Sequence, residues 1–239
     1  MTSVPVPKTA LVTGGSRGIG LAIARALARA GVRVALVARG AEELEARARE
    51  LGNGTLALPA DLSSASEVDG LVRRLDDAFA GAPDLLINNA GIFDPKPLHV
   101  LTPEEFARMI QLNLVAPFFV LRALLPQWRE QRRGHVITIG SIADRTIFPD
   151  NGAYSASKFG ARAMHEVLRA ETRGTGVRTT LVSPSSTDTP IWDAVLRQPG
   201  NRFPPRSAML AADSVADAVV WAATRPANVN VDELRISAS

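Results

Sequence analysis

The sequence predicts a doubly wound α/β fold: a seven-stranded parallel sheet with helices on both faces. Short β-branched runs alternate with helical patterns from end to end, which is the order of strand–helix–strand units. The strand runs are continuously apolar rather than alternating, as a sheet covered on both faces requires. The chain has 239 residues, 46% hydrophobic and 21% charged, which is apolar enough to offset chain entropy. No repeat, low-complexity segment or linker interrupts it, so one domain over 1–239 is expected.

Each element follows from local pattern. Thr9 to Thr13 is a compact apolar run. Ile19, Ile23, Ala26, Leu27 and Ala30 then recur at helical spacing until Gly31. Val32 to Ala38 reads as a strand, Glu42 to Leu51 as a helix, and Leu56 to Pro59 as a short strand before Asp61. Ser64 and Glu67 have the spacing of a capping box, opening a helix with Val68, Leu71, Val72, Leu75 and Phe79 on one face. Asp84 to Ile87 is the fourth strand. Thr102-Pro103-Glu104-Glu105 reads as a second capping box with proline at the first helical position, opening a helix to about Gln127. His135 to Gly140, Ala153 to Thr172 and Val177 to Ser183 read as strand, helix and strand. Pro184 to Ala212 carries five prolines and little periodicity, the mark of a lid or binding segment, placed at about 185–212. Asp213 is expected to cap a last helix to about Thr224, and Val229 to Ile236 to form the last strand.

Composition excludes several functions. Without cysteine there is no disulfide framework, thiolate metal site or cysteine nucleophile. The 27 Lys and Arg against 24 Asp and Glu are interleaved, with Glu43 and Arg47, and Glu45 and Arg49, spaced to pair on a helix face. Arg129 to Arg133, the densest basic stretch, also holds Glu130, so no single-sign stripe for nucleic acid is present. Met1 to Pro7 lacks a basic end followed by an apolar run. Leu112 to Leu125 is broken by Asn113, Pro117 and Arg122, too short and polar to span a bilayer. A soluble, cytoplasmic protein with no membrane partner is expected. His99, His135 and His165 lack metal-site spacing and read as surface or strand-end residues, so no metal is assigned.

The first strand runs into Thr13-Gly14-Gly15-Ser16-Arg17-Gly18-Ile19-Gly20 and then a helix. Glycines there let a pyrophosphate approach the main chain, and the helix start supplies N–H groups and a favourable dipole. The spacing Gly-x3-Gly-x-Gly differs from the commoner Gly-x-Gly-x-x-Gly, and a tight turn that binds nothing is the alternative. Its place after the first strand of a Rossmann-like sheet favours a dinucleotide. Where an NAD site has a carboxylate at the end of the second strand, this chain has Ala38-Arg39. Arg39 and Arg17 suit a 2′-phosphate, so NADP(H) is favoured and NAD(H) is the alternative. Two merely solvated arginines are the other reading.

With those motifs in place the chain resembles the short-chain dehydrogenase/reductase family, in its single-domain form of about 250 residues. Thr13 to Gly20 looks like the family's cofactor turn, which marks Gly14, Ser16, Arg17, Gly18, Ile19 and Gly20. Asp61-Leu62 resembles its adenine contact, and Asn88-Asn89-Ala90-Gly91 its fourth-strand motif, which marks Asn88, Ala90 and Gly91. Asn113, Ser141, Tyr154 and Lys158 match its catalytic tetrad, with Tyr154-Ser155-Ala156-Ser157-Lys158 as Tyr-x-x-x-Lys. The resemblance implies that Tyr154 is general acid or base and Ser141 polarises the carbonyl oxygen. It also implies that Lys158 holds the nicotinamide ribose and Asn113 anchors a proton-relay water. Tyr154 and Lys158, four apart, share a helix face, and the ammonium is expected to lower the Tyr154 pKa.

Two segments depart from the family. Pro184-Ser185-Ser186-Thr187-Asp188-Thr189 stands where Pro-Gly-x-Val/Ile-x-Thr flanks the nicotinamide carboxamide. Pro184, Thr187 and Thr189 keep that role, while Ser185 requires a backbone that tolerates a Cβ. The C-terminus, Val229 to Ser239, lacks the glycine-rich apolar ending usual in 3-oxoacyl reductases. An NADPH-dependent carbonyl reductase is therefore ranked first, carrier-bound 3-oxoacyl reduction second, and a catalytically silent NADP(H)-binding protein third. An epimerase or dehydratase would need a larger C-terminal substrate domain than about 50 residues allow.

The pocket residues named are Ile142, Ala143, Phe148, Ile191 and Trp192, with Arg145 and Arg206 the nearest cations. This mainly apolar set points to an uncharged, moderately hydrophobic ketone or alcohol. The resemblance implies a homotetramer or homodimer, for which Leu114, Phe118, Phe119 and Trp128 either form the interface or face the sheet.

Overall fold

The computed structural model describes residues 6–198, 200 and 202–239. Met1 to Pro5, most of the segment read for an export signal, lie outside the described residues, as do Pro199 and Asn201 of the lid stretch. The strands are β1 (Thr9–Thr13), β2 (Arg33–Val37), β3 (Leu56–Ala57), β4 (Leu85–Asn88), β5 (Gly134–Ile139), β6 (Val177–Pro184), β7 (Thr187–Asp188), β8 (Leu210–Ala211) and β9 (Glu233–Ile236). Seven pair in parallel, as the sequence predicts, and their order is β3-β2-β1-β4-β5-β6-β9. The helices are α1 (Gly18–Arg29), α2 (Ala41–Leu51), α3 (Ala65–Phe79), α4 (Pro103–Ile110), α5 (Ala116–Gln131), α6 (Gly152–Thr172), α7 (Asp193–Leu196) and α8 (Ala212–Ala223).

Each strand feeds two cores because successive side chains alternate across the sheet. Ala10 and Val12 of β1 pack with α1, α2 and α8, while Leu11 packs on the opposite side with α3, α5 and Leu168 of α6. β1 pairs with β2 and with β4, Val12 standing beside both Leu36 and Ile87. Chain direction along the sheet therefore reverses between β1 and β4, and the crevice at their carboxyl ends is where such sheets bind ligands.

Several local readings change. The helix expected to end near Gln127 continues to Gln131 and is broken at Gln111–Val115 by a π-helical segment holding Asn113. The helical run Pro103–Gln131 is long and apolar enough to cross a membrane. It lies instead as a core helix, with Ala116, Val120, Leu121, Leu124 and Trp128 buried against the sheet. Trp128 is fully buried and Phe119 packs at the core's edge, whereas Phe118 is exposed and Leu114 half-buried.

Of the two capping boxes, Thr102/Glu105 forms completely. Ser64 accepts the Glu67 N–H, but the Glu67 carboxylate takes the Asp61 N–H instead, so that box is half formed. Asp213 is inside the first turn of α8 and caps nothing; the N-cap is Ala211. Arg47 pairs with Glu50, which also binds Arg25, in place of the expected partner Glu43. The lid is pinned by β7 pairing with β8, and its helical pieces are Pro190–Trp192, α7 and Arg206–Ala208.

His135 and His165 are buried, not surface residues. His135 is the second residue of β5 and bonds Thr180 at 2.8 Å; His165 bonds Thr138 at 3.0 Å. The buried stripe of α6 runs Ala153, Ser157, Ala161, His165, Leu168, Thr172, and this spacing places His165 on the inner face.

Candidate active site

A cleft of about 1070 Å³ opens over the carboxyl ends of β1, β4, β5 and β6, covered by the lid. Most of the residues singled out in the sequence line it: Gly14, Ser16, Arg17, Gly18 and Ile19; Arg39; Asp61 and Leu62; Ala90 and Gly91; Ser141, Tyr154 and Lys158; Pro184, Thr187 and Thr189. Gly20, Asn88 and Asn113 are not in its wall.

The turn after β1 is held from beneath by the loop after β4. The Thr13 hydroxyl donates to Ile87 O and accepts the N–H groups of Asn89 and Ala90. Asn89 donates its side-chain amide to Thr13 O at 2.9 Å and lines the cleft. Asn88 is buried, and its side-chain amide has no partner among the described residues. The sequence reading marks Asn88, but one step along the strand end it is Asn89 that lines the cleft. Gly20 acts by closeness: a Cβ there would lie 2.2 Å from Gly14 O, so only glycine lets the helix start this near the turn.

At the outer end of the cleft Arg17 and Arg39 are exposed and make no hydrogen bond or ion pair among the described residues. Asp61 has its carboxyl held below the usual range by hydrogen bonds from Ser63, with the Arg39 charge contributing. Glu43, which the sequence reading did not name for the cleft, lies on the same rim.

At the inner end Ser141 follows β5 and caps a 3-10 turn, Ile142–Asp144, its hydroxyl accepting the Ala143 N–H at 3.1 Å. Tyr154 and Lys158 occupy the first turns of α6, with the ammonium 5.7 Å from the phenol ring centroid. Lys158 Nζ donates to Ile139 O at 3.0 Å. Asn113 stands behind them. Its Oδ1 accepts Ile92 N–H at 2.8 Å, and its Nδ2 donates to Ile92 O and to Ser157 Oγ. Ser157 in turn donates to Tyr154 O.

The expected lowering of the Tyr154 pKa is not found. Burial pushes the phenol up to about 12, against a hydrogen bond with Ser141 and with added repulsion from Asp144. Burial also lowers Lys158 to about 8, so its charge is itself costly there. Desolvation is the largest effect on both groups, and the ammonium is turned to the Ile139 carbonyl.

The substrate side is aromatic. Phe93 meets Tyr154 edge-on at 4.8 Å, Trp192 at 4.9 Å and Phe203 at 5.8 Å between ring centroids. Phe93 and Phe203 had no signal in the sequence, being single aromatics in loops. Ile142, Ala143, Phe148, Ile191 and Trp192 line the cleft as expected. Arg145 turns away to Asp144 and Glu233, and Arg206 is held by Asp188 and Asp193. Arg202, in the lid, lines the cleft in addition to Arg17, Arg39 and Lys158. Ser185 is absent from the non-glycine residues with positive φ, so its Cβ is unstrained. It ties the lid base to the C-terminus, donating its N–H to Ile236 O and accepting Ala238 N–H.

The described residues fit a dinucleotide: a glycine turn closed to Cβ atoms at one end, unpaired guanidiniums on the rim, and at the other a half-buried hydroxyl and phenol beside a buried ammonium. Fold and cleft together define a Rossmann-type α/β protein with a Ser–Tyr–Lys constellation at the switch point of its sheet.

The chain belongs to the short-chain dehydrogenase/reductase family and is an oxidoreductase of that family. The family's profile, described as short chain dehydrogenase, matches residues 8–200. An uncharacterized oxidoreductase of Staphylococcus haemolyticus is 32% identical over 230 residues, 96% of each chain. An alcohol dehydrogenase from the archaeon Thermococcus sibiricus, solved with 5-hydroxy-NADP, superposes with a TM-score of 0.85 at 32% identity, covering 97% of this chain and 96% of that one. A metagenomic short-chain oxidoreductase solved with NADP gives 0.83 at 34% identity, covering 97% of each.

Proposed function

We propose that the protein is an NADPH-dependent carbonyl reductase that interconverts an uncharged, hydrophobic ketone and its secondary alcohol, with Tyr154 as general acid and base. The observation that carries this reading is the meeting of Ser141, Tyr154 and Lys158 in one cleft with the glycine turn and two unpaired arginines. Two similar structures, one solved with NADP and one with 5-hydroxy-NADP, support the cofactor. The aromatic wall of Phe93, Trp192 and Phe203 supports an apolar substrate, since the two arginines nearest the sequence-defined pocket are already neutralised.

In this reading the glycine turn, Arg17, Arg39 and Lys158 would hold a nicotinamide dinucleotide, which would supply hydride for the carbonyl carbon. Ser141 donates its hydroxyl hydrogen to the carbonyl oxygen and polarises it. Tyr154, protonated at neutral pH because burial holds its pKa near 12, gives its proton to the developing alkoxide. Lys158 fixes its ammonium on Ile139 O and keeps two N–H groups for a ribose. With a pKa of about 8, it exchanges protons near working pH. Asn113 fixes the Ile92 loop and, through Ser157, the backbone at Tyr154. The reverse reaction needs the phenolate, so alcohol oxidation is expected to rise with pH into the alkaline range.

The test is oxidation of NADPH, with NADH in parallel, against ketones, aldehydes, 3-oxo esters and one 3-oxoacyl thioester. Turnover with NADPH and a hydrophobic ketone is expected. Preference for the thioester would place carrier-bound 3-oxoacyl reduction first. NADPH binding without turnover on any carbonyl would overturn the enzyme reading.

A further inference from the structure

Beneath Ser141 lies a buried ionic cluster that plays no part in the proton and hydride transfers above. Asp144 closes the turn that Ser141 opens, and its side chain is fully buried. One carboxylate oxygen accepts Arg145 Nε at 2.7 Å; Arg162 of α6 comes within 3.9 Å of the same atom. The other accepts the Ser183 hydroxyl of β6 at 2.6 Å and, at 3.5 Å, the Ser141 N–H. Arg145 continues to Ser183 Oγ at 3.2 Å and pairs with Glu233 of β9. Packing around the carboxylate is tight: a Cβ on Gly140 would lie 2.8 Å from Asp144 Oδ2 and 2.9 Å from Ser183 Oγ.

A buried ion cluster is weak as a stabilising device, because well-packed apolar side chains generally do as well. What it supplies is a fixed orientation and a fixed charge. Here both lie next to the acid: Asp144 acts electrostatically on Tyr154 and on Lys158, although it does not line the cleft.

We propose that Asp144 is a positioning residue of this site: tied to β6 through Ser183 and to β9 through Arg145 and Glu233, it fixes the Ser141 turn and holds a buried negative charge beside Tyr154 and Lys158. The charged groups that face it are Arg145 on its own turn and Arg162 and Lys158 on α6, with Glu233 of β9 behind Arg145. The inference rests on the reductase reading for its chemistry, but one of its tests does not need turnover.

Asp144→Asn keeps the shape and an acceptor for Ser183 while removing the charge. Without the charge both Tyr154 and Lys158 give up their protons more readily, so the alkaline limb of carbonyl-dependent NADPH oxidation moves to lower pH. The kcat falls roughly tenfold while NADPH affinity stays within about twofold of the parent protein. Tyr154 is the only tyrosine in the chain. The phenolate absorbance of the folded protein therefore titrates this group alone, and its midpoint falls as well. Ser183→Ala, which cuts the tether and keeps the charge, lowers kcat and leaves the alkaline limb in place. If the parent protein reduces no carbonyl, the reductase reading fails and the absorbance titration alone decides the role of Asp144. An Asp144→Asn protein with the parent's midpoint, or a kcat loss matched by lost NADPH binding, overturns the proposal.

Discussion

Arg39 stands where a single side chain decides which dinucleotide the cleft prefers. It follows β2, is exposed, has no hydrogen-bond or ion-pair partner among the described residues, and shares its rim with Arg17 and with the carboxylate of Glu43. A charge-assisted hydrogen bond to a 2′-phosphate contributes about 1.5–3 kcal/mol. Arg39→Ala is therefore expected to weaken NADPH binding roughly ten- to hundredfold and leave NADH within about twofold. Equal loss of both nucleotides in a fluorescence titration would show that the arginine is only solvated. The residues of the candidate site were legible where chemistry is local in sequence: Tyr154 and Lys158 are one helical turn apart, and the glycine turn is contiguous. The role of Asp144 and the pairing of Arg145 were not, because Ser183 and Glu233 arrive from distant strands. The proton affinity of Tyr154 was misread for a related reason: spacing showed the ammonium but not the burial, and burial is the larger effect.

At the level of elements, the seven strands of the main sheet followed from apolar runs and intervening helical spacing, whereas the β7–β8 pair in the lid did not. What the pattern did not settle was the side-chain competition at helix ends. Glu67 has the spacing to cap α3, yet the Asp61 N–H is a nearer donor to it. Arg47 chooses Glu50 over Glu43, where a second arginine shares the carboxylate. The π-helical turn at Asn113 leaves no mark in composition, and it marks the place where a helix is reshaped for a side chain. Trp128 illustrates the reverse case, a residue whose role only the packing decides. It is fully buried in the core beneath α5 and donates its indole N–H to Pro83 O at 2.7 Å. Trp128→Ala is expected to lower unfolding free energy by about 3–5 kcal/mol in urea denaturation. A loss under about 1 kcal/mol would place the tryptophan outside the core's energetic centre.

Across the whole molecule, the two buried histidines set an acid limit on the fold. Burial lowers His135 to about 3 and His165 to about 4, with the Arg178 charge adding to the first. His135 Nδ1 and His165 Nε2 have no partner among the described residues to receive a proton. Both are neutral when folded, while the unfolded chain protonates near pH 6.5. The stability gained from keeping them neutral is therefore full above about pH 6.5 and is lost as pH falls toward the folded values. Between about pH 6 and 5, above the carboxylate range, unfolding free energy is expected to fall by up to about 2.7 kcal/mol per pH unit, two protons' worth. Urea midpoints at those two values check it, and equal midpoints would mean that the histidines are not buried neutral.

The central claim, that a Rossmann-type sheet carries a carbonyl reductase whose acid is Tyr154, is tested most directly by Tyr154→Phe. The substitution removes one oxygen from a ring already seated against Phe93, so the cleft keeps its shape. The measurement is ketone-dependent oxidation of NADPH, set beside NADPH binding by fluorescence in the same preparation. Loss of turnover by at least about a hundredfold, with binding unchanged, is the predicted result. Turnover equal to that of the parent protein would contradict the assignment of Tyr154 as the proton donor.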